Sequence, residues 1–352
     1  MAMSLNPLHS TKIIEPMAYV IIAYLFLSIL LYVLLGGADF GAGIIELFTS
    51  TRNRSRTRKT LYQAIGPIWE ANHMWLIIAI VIMFVGFPFI YSEMSIYLHI
   101  PLIIMLTGII ARGTAFVFRS YDAVKDNLQW LYNRIYALSS LVTPMFLGII
   151  AGSIISGHID REAKTFADTY IYCWLNWFSI GVGLFVTALC GFLASIYLIG
   201  EADTPEDRTR FVNKARIMNI AAVVSGLYVF IAAFLDHIPL LQWVFGNPVG
   251  LTAVVAASFS LVLLWFLVYQ GKSFIIRPLA AFQVTMILLA IGYAHFPDFI
   301  IEKNGNHLSL FDHLAPEKTL TALGWALIVG SVFILPALYY LYYSFNKPLS
   351  DD

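Results

Sequence analysis

The sequence predicts an all-α polytopic membrane protein of about nine transmembrane helices. They are read as two four-helix bundles plus one peripheral helix, with the N-terminus outside and the C-terminus cytoplasmic. Three observations predict this. Of 352 residues, 59% are hydrophobic and only 12% are charged, and the mean hydropathy is +0.78; soluble domains run to about a quarter charged. Nine apolar stretches approach or exceed the roughly 20 residues that cross a bilayer core. Lysine and arginine are sorted between alternate connections.

The nine stretches are 17–47, 62–90, 96–118, 134–156, 170–199, 217–235, 249–269, 278–296 and 320–343. Together they make 1–352 a single transmembrane domain. The first two are long, so their polar ends extend past the hydrocarbon or bend, and Gly66-Pro67 is the expected kink in the second. The first connection, TRNRSRTRKT, carries Arg52, Arg54, Arg56, Arg58 and Lys59. Counting onward, fifteen basic residues fall on that side and five on the other, with Arg112 inside a helix. Positive charge marks the cytoplasmic side, which sets the orientation. The longest connection, 297–319, is then outside and amphiphilic, suited to the membrane surface or to capping a partner.

Composition also excludes functions. Net charge is zero, so no nucleic-acid partner is expected. Cys173 and Cys190 share one apolar stretch and read as small buried residues; no zinc or redox spacing surrounds them. No Walker motif is present. The N-terminus lacks the plan of a signal peptide. No residue set reads as a catalytic centre or a metal site. A haem held between helices needs two intramembrane histidines, and only His73 is well inside a span. The chain is therefore expected to hold no haem alone.

Charges inside the spans carry the functional signal, since each costs several kcal/mol unless paired or hydrated. They are Asp39 in GGADFGAG, Glu70 in GPIWEANHMWL and Arg112 in ARGTAFVFR. Asp39 precedes Arg52 by thirteen residues and Glu70 follows Lys59 by eleven. In continuous helices both carboxylates lie roughly 16–20 Å from the basic rim, and Arg112 roughly 10 Å. Glu46, seven residues after Asp39, shares its face nearer the rim; His73 shares a face with Glu70. The functional reading is a proton path through Glu46, Asp39, Glu70 and His73. The alternative is a structural ion pair of Asp39 or Glu70 with Arg112. The glycines around Asp39 suit close helix packing, and Trp69 and Trp75 serve as packing anchors or line a path. Acid-bearing spans without their own metal site fit a haem-free redox subunit, a proton-coupled secondary transporter or a scaffold.

Together the three motifs resemble subunit II of the cytochrome bd-type quinol oxidases. That family's patterns read DGFDxGxG, GPxWDxNxxWL and RGxAFEFR, in this order and spacing. The resemblance implies a heterodimer in which subunit I carries two b-type haems and the d-type haem. It oxidises quinol and reduces dioxygen to water, while subunit II supports it and provides cytoplasmic proton uptake, contributing to proton motive force. It also leaves room for a structural quinone on this chain, for a small single-helix subunit, and for a multi-pass place in a bacterial or archaeal cell membrane. Asp39 and Glu70 take the family's acids on the first two helices. Trp69, Asn72 and Trp75 match the second motif, and Arg112, Phe116 and Arg119 the third. Two family acids are replaced, by Gly36 and Val117, which within the resemblance implies a divergent branch, such as the cyanide-insensitive one, and loads more of the proton work on Asp39 and Glu70.

Overall fold

The computed structural model describes residues 11–66, 69–121 and 128–345. Among them nine helices are long and apolar enough to cross a membrane. The first span is built from α1 (Thr11–Leu31), a π-helical turn (Tyr32–Gly36) and α2 (Gly37–Leu47). Then come α3 (Thr51–Ile65), α4 (Trp69–Gly86), α5 (Pro88–Tyr97), α6 (His99–Tyr121) and α7 (Gln129–Ile155). The short α8 (Phe166–Tyr170) precedes α9 (Trp177–Ile199) and α10 (Pro205–Leu235). The chain continues through α11 (Leu240–Phe245), α12 (Pro248–Tyr269), α13 (Ile276–His295), strands β1 (Asp298–Ile301) and β2 (His307–Ser309), and α14 (Glu317–Phe345).

Several boundaries correct the sequence reading. The basic connection after the first span is not a loop but the helix α3. Thr57, Thr60 and Leu61 share its buried face, while its arginines lie on the partly or fully exposed side. The expected second span, 62–90, is three helices: the end of α3, then α4, then α5. Phe87 leaves helical geometry and Pro88 restarts a helix at its first position. The expected kink residue Pro67 lies outside the described residues. The fifth span begins at Trp177 rather than 170, because Asn176 caps α9 through the Ser179 amide at 2.8 Å. The sixth starts twelve residues early: Thr204 caps α10 and Pro205 follows it, carrying the helix beyond the apolar stretch.

The long connection 297–319, expected at the membrane surface or capping a partner, folds onto its own chain. β1 and β2 pair antiparallel, and Ile300, Leu308, Leu310 and Ala315 enter a core shared with α1, α4, α5 and α7. Arg161 clamps the hairpin, meeting Glu302 at 2.5 Å and Glu93 of α5 at 3.0 Å. Lys303 donates to Asp160 at 3.1 Å and holds that carboxyl below its usual range.

The helices sort by end. Arg56 of α3 meets Asp207 of α10 at 2.7 Å, and Arg277 of α13 meets Glu201 at 2.6 Å. Among the described residues these pairs bring the basic segments of α3, α10 and α13 to one end. α9 is the most enclosed span and α14 the least; α14 packs on α1 and α4 at the periphery. α2 is wedged between α7 and α9. Lipid tails are as apolar as leucine, so close backbone approach through small residues holds such helices together. A Cβ on Gly41 would overlap the Cys190 backbone of α9, and one on Gly43 would overlap Ser140 of α7.

Candidate functional site

Where α2 is wedged between α7 and α9, side chains from α4, α6 and α7 meet it in a buried charged cluster. Its first member, Asp39, stands in the first turn of α2 immediately after the π-helical turn. Such turns are rare inside helices and frequent at functional sites. Arg112, from α6, is 1% exposed, and its Nη2 donates to Asp39 Oδ1 at 2.6 Å and to the Asp39 carbonyl at 3.0 Å. Its Nε donates to Ser140 at 3.0 Å, and Nη2 also reaches the Tyr136 hydroxyl at 3.2 Å. The guanidinium stands 5.0–5.1 Å from the rings of Phe40 and Tyr136, so its faces are covered as well as its edges.

His73, from α4, completes the cluster. Its Nε2 lies 3.3 Å from Asp39 Oδ2 and 3.5 Å from Arg112 Nη1. Its ring sits against Tyr32, Phe40 and Trp69. His73 Nδ1 and the Tyr32 hydroxyl are buried with no hydrogen-bond partner among the described residues.

Glu46 forms a second cluster two turns along α2. Buried to 2% exposure, it receives Arg58 Nε at 2.5 Å on one oxygen and Arg119 Nη1 at 2.7 Å on the other. Arg119 lies 3.9 Å over the ring of Tyr136. Tyr136 therefore stands between the two clusters, its ring under both arginines and its hydroxyl on Arg112.

The expected residues are thus only partly brought together. Asp39, His73 and Arg112 meet, and Arg112 pairs with Asp39 rather than Glu70. Phe116 packs with Trp69 and Tyr136, and Trp75 packs with Tyr32 and Phe40. Asn72 is buried beside them on α4. Glu70 does not join: it is exposed, in the first turn of α4. The depth given to it assumed one helix running on from Lys59, and α3 and α4 are separate elements. Residues missed in the sequence are Tyr136, Ser140, Arg58 and Tyr32. Tyr136 and Ser140 stand one turn apart in an apolar span, a polar spacing that could have found them.

The matching segment of the family model for cytochrome bd terminal oxidase subunit II runs over residues 17–345. The chain belongs to that family. Subunit 2 of the cytochrome bd ubiquinol oxidase of Bacillus subtilis is 32% identical over 175 residues, a match spanning about half of each chain (49% and 49%). Subunit 2 of the cytochrome bd-I ubiquinol oxidase of Escherichia coli K12 is 22% identical, covering 90% of this chain and 91% of that one. In three dimensions the chain is similar to a chain of the bd oxidase from Geobacillus thermodenitrificans, with a TM-score of 0.72 and 20% identity, covering 94% of this chain and all of that one. At that identity the likeness shows the fold. The resemblance carried by three short motifs therefore extends over nearly the whole sequence, and the chain is a multi-pass subunit of an oxidoreductase complex.

A bd-type complex uses haem, and the described residues around His73 do not present the histidine pair that holds one between helices. His73 is clasped by Asp39 and Arg112 instead of facing a second histidine. Among the described residues no three His, Cys, Asp or Glu side chains form a metal-binding group.

Proposed function

We propose that this subunit II pairs with a haem-bearing subunit I in a quinol:oxygen oxidoreductase and carries protons to it from the cytoplasm. In this reading the chain is one transmembrane domain of two four-helix bundles plus peripheral α14. Its basic end faces the cytoplasm of a bacterial or archaeal cell and its N-terminus lies outside. The two b-type haems and the d-type haem of subunit I supply the oxidation of quinol and the reduction of dioxygen.

The observation that carries the proton role is the geometry of Asp39, Arg112 and His73. Arg112 is permanently charged and Asp39 balances it, so the pair adds no net charge to the interior. His73 beside them is the member that can take up a proton and pass it on; the bound proton adds one positive charge to the cluster, which onward transfer removes. Its open Nδ1 and the open Tyr32 hydroxyl suit a bridging water. Glu46, reached through the partly exposed Arg58, is the carboxylate of α2 nearest the basic end. Seven residues of helix, about 10 Å, separate it from Asp39, and Tyr136 lies between them.

Glu70 is assigned the last step. Its carboxylate shares the α4 flank with exposed Ile77, Val81 and Phe84. A carboxylate at the edge of such a face is costly against lipid, which favours cover by subunit I, with Glu70 passing protons across.

The test is oxygen consumption with quinol, read with the haem spectrum, for His73→Gln in assembled membranes. Retained haem with turnover lowered by about tenfold or more supports the reading. Unchanged turnover removes His73 from the path.

A further inference from the structure

A cavity of about 830 Å³ opens between the end of α2 and the first turns of α3 and α7. Glu46 and Arg58, where the proton route enters, form one wall of it, and that route makes no use of Arg54, Asn133 or Arg134 on the other walls. Its charged lining is Arg54, Arg58 and Arg134 against Glu46 alone. Glu46 is already held on both oxygens, by Arg58 and Arg119. Arg54 spends one nitrogen on the Thr49 carbonyl at 3.2 Å, and its Nε is buried with no partner among the described residues. Arg134 stacks 5.2 Å over Trp130 of the previous turn and is exposed. Asn133, also in the lining, holds a buried Oδ1 that lacks a partner among the described residues. The outer lip is apolar, with Trp130 57% and Leu138 52% exposed.

We propose that this cavity binds the headgroup of an anionic phospholipid of the phosphatidylglycerol type. The chemistry selects each part of the ligand. Two guanidiniums without carboxylate partners among the described residues select phosphate oxygens, which match their forked donors. Asn133 Oδ1 is an acceptor, so the occupant also brings a donor, supplied by a headgroup hydroxyl. The apolar lip lies at the start of a membrane span, where tryptophan marks the interface, so the far end of the ligand is an acyl chain running along Trp130 and Leu138. Basic pockets between spans take lipid headgroups in this way. A soluble phosphate would leave that lip uncovered, and phosphatidylcholine lacks the donor for Asn133.

The experiment is native mass spectrometry of the full complex purified in detergent, with lipid added back. Wild type is compared with Arg134→Gln and Asn133→Leu. Arg134 makes no ion pair among the described residues, so its loss leaves the fold intact. The expected result is one retained phosphatidylglycerol that excess inorganic phosphate does not displace and phosphatidylcholine does not replace. Arg134→Gln weakens its retention about fivefold, the effect of one basic residue at a membrane surface. Asn133→Leu abolishes the preference for phosphatidylglycerol over phosphatidic acid. Equal retention of phosphatidylglycerol and phosphatidylcholine overturns the proposal, as does unchanged binding in Arg134→Gln. Displacement by inorganic phosphate assigns the cavity to a soluble anion and overturns the lipid.

Discussion

Arg112 and Asp39 meet twice inside the membrane span, through the Asp39 carboxylate at 2.6 Å and its backbone carbonyl at 3.0 Å. Neither is more than 1% exposed. The pair joins α6 to α2 at the point where α2 is wedged between α7 and α9. Removing one partner of such a pair leaves an uncompensated buried charge, at a cost of about 3–5 kcal/mol. Asp39→Asn and Arg112→Gln are each expected to lower the thermal midpoint of the purified complex and its yield. The double variant Asp39→Asn/Arg112→Gln removes both charges and is expected to recover a large part of that loss. A double variant no better than the worse single one would show that the two charges do not compensate each other.

Glu70 separates structural from functional importance more cleanly, because it is exposed and its side chain makes no ion pair among the described residues. Substitution at such a position ordinarily changes stability by no more than about 0.5 kcal/mol. Glu70→Gln is therefore expected to retain the haem spectrum of the complex while quinol-driven oxygen consumption falls about tenfold or more. If the haem signal disappears instead, the carboxylate is holding the two subunits together. If spectrum and turnover both stay normal, protons leave this chain elsewhere.

What could be read from the sequence follows what each signal measures. Span number and approximate position are composition over some twenty residues, so nine spans were legible. The interruption at Gly86–Pro88 and the helical α3 were not, because a hydropathy window passes smoothly over the first and sees only charge in the second. Asp39, Arg112 and His73 stood out as polar groups in apolar surroundings, and they do meet. Their mutual geometry was hidden, since pairing across α2, α4 and α6 depends on how the helices rotate. Tyr136 was missed because a tyrosine in an apolar span reads as bulk until its hydroxyl is seen on Arg112.

Glycine spacing around Asp39 yields a graded expectation. At Gly41 an added Cβ would run into the backbone of Cys190 and the Cβ of Ala194 in α9, neither of which has a rotamer to move. At Gly37 the nearest atom is the Cys190 sulfur at 3.3 Å, the end of a side chain that can turn. Gly41→Ala is expected to cost at least the 1–3 kcal/mol typical of overpacking, and Gly37→Ala clearly less. Thermal midpoints of the two variants in one detergent check the order. Equal midpoints would mean that α2 is free to shift away from α9.

Acid should loosen the opposite end of the molecule first at the Asp160–Lys303 contact. The hydrogen bond from Lys303 holds the Asp160 carboxyl below the ordinary aspartate range near 3.9. The folded state thus binds this proton less readily than the unfolded chain does. The contribution is present above the unfolded value and is lost as pH falls below it and through the folded value. Both side chains are substantially solvated, so the effect is local rather than global. Hydrogen exchange of residues 157–165 and 302–306 is expected to be the same at pH 8 and pH 6 after correction for intrinsic rates, and faster near pH 3. Lys303→Met should remove the contrast by exposing the loop at every pH. Protection that is unchanged down to pH 3 would show that Arg161, held on the buried Glu302 carboxylate, fixes the hairpin on its own.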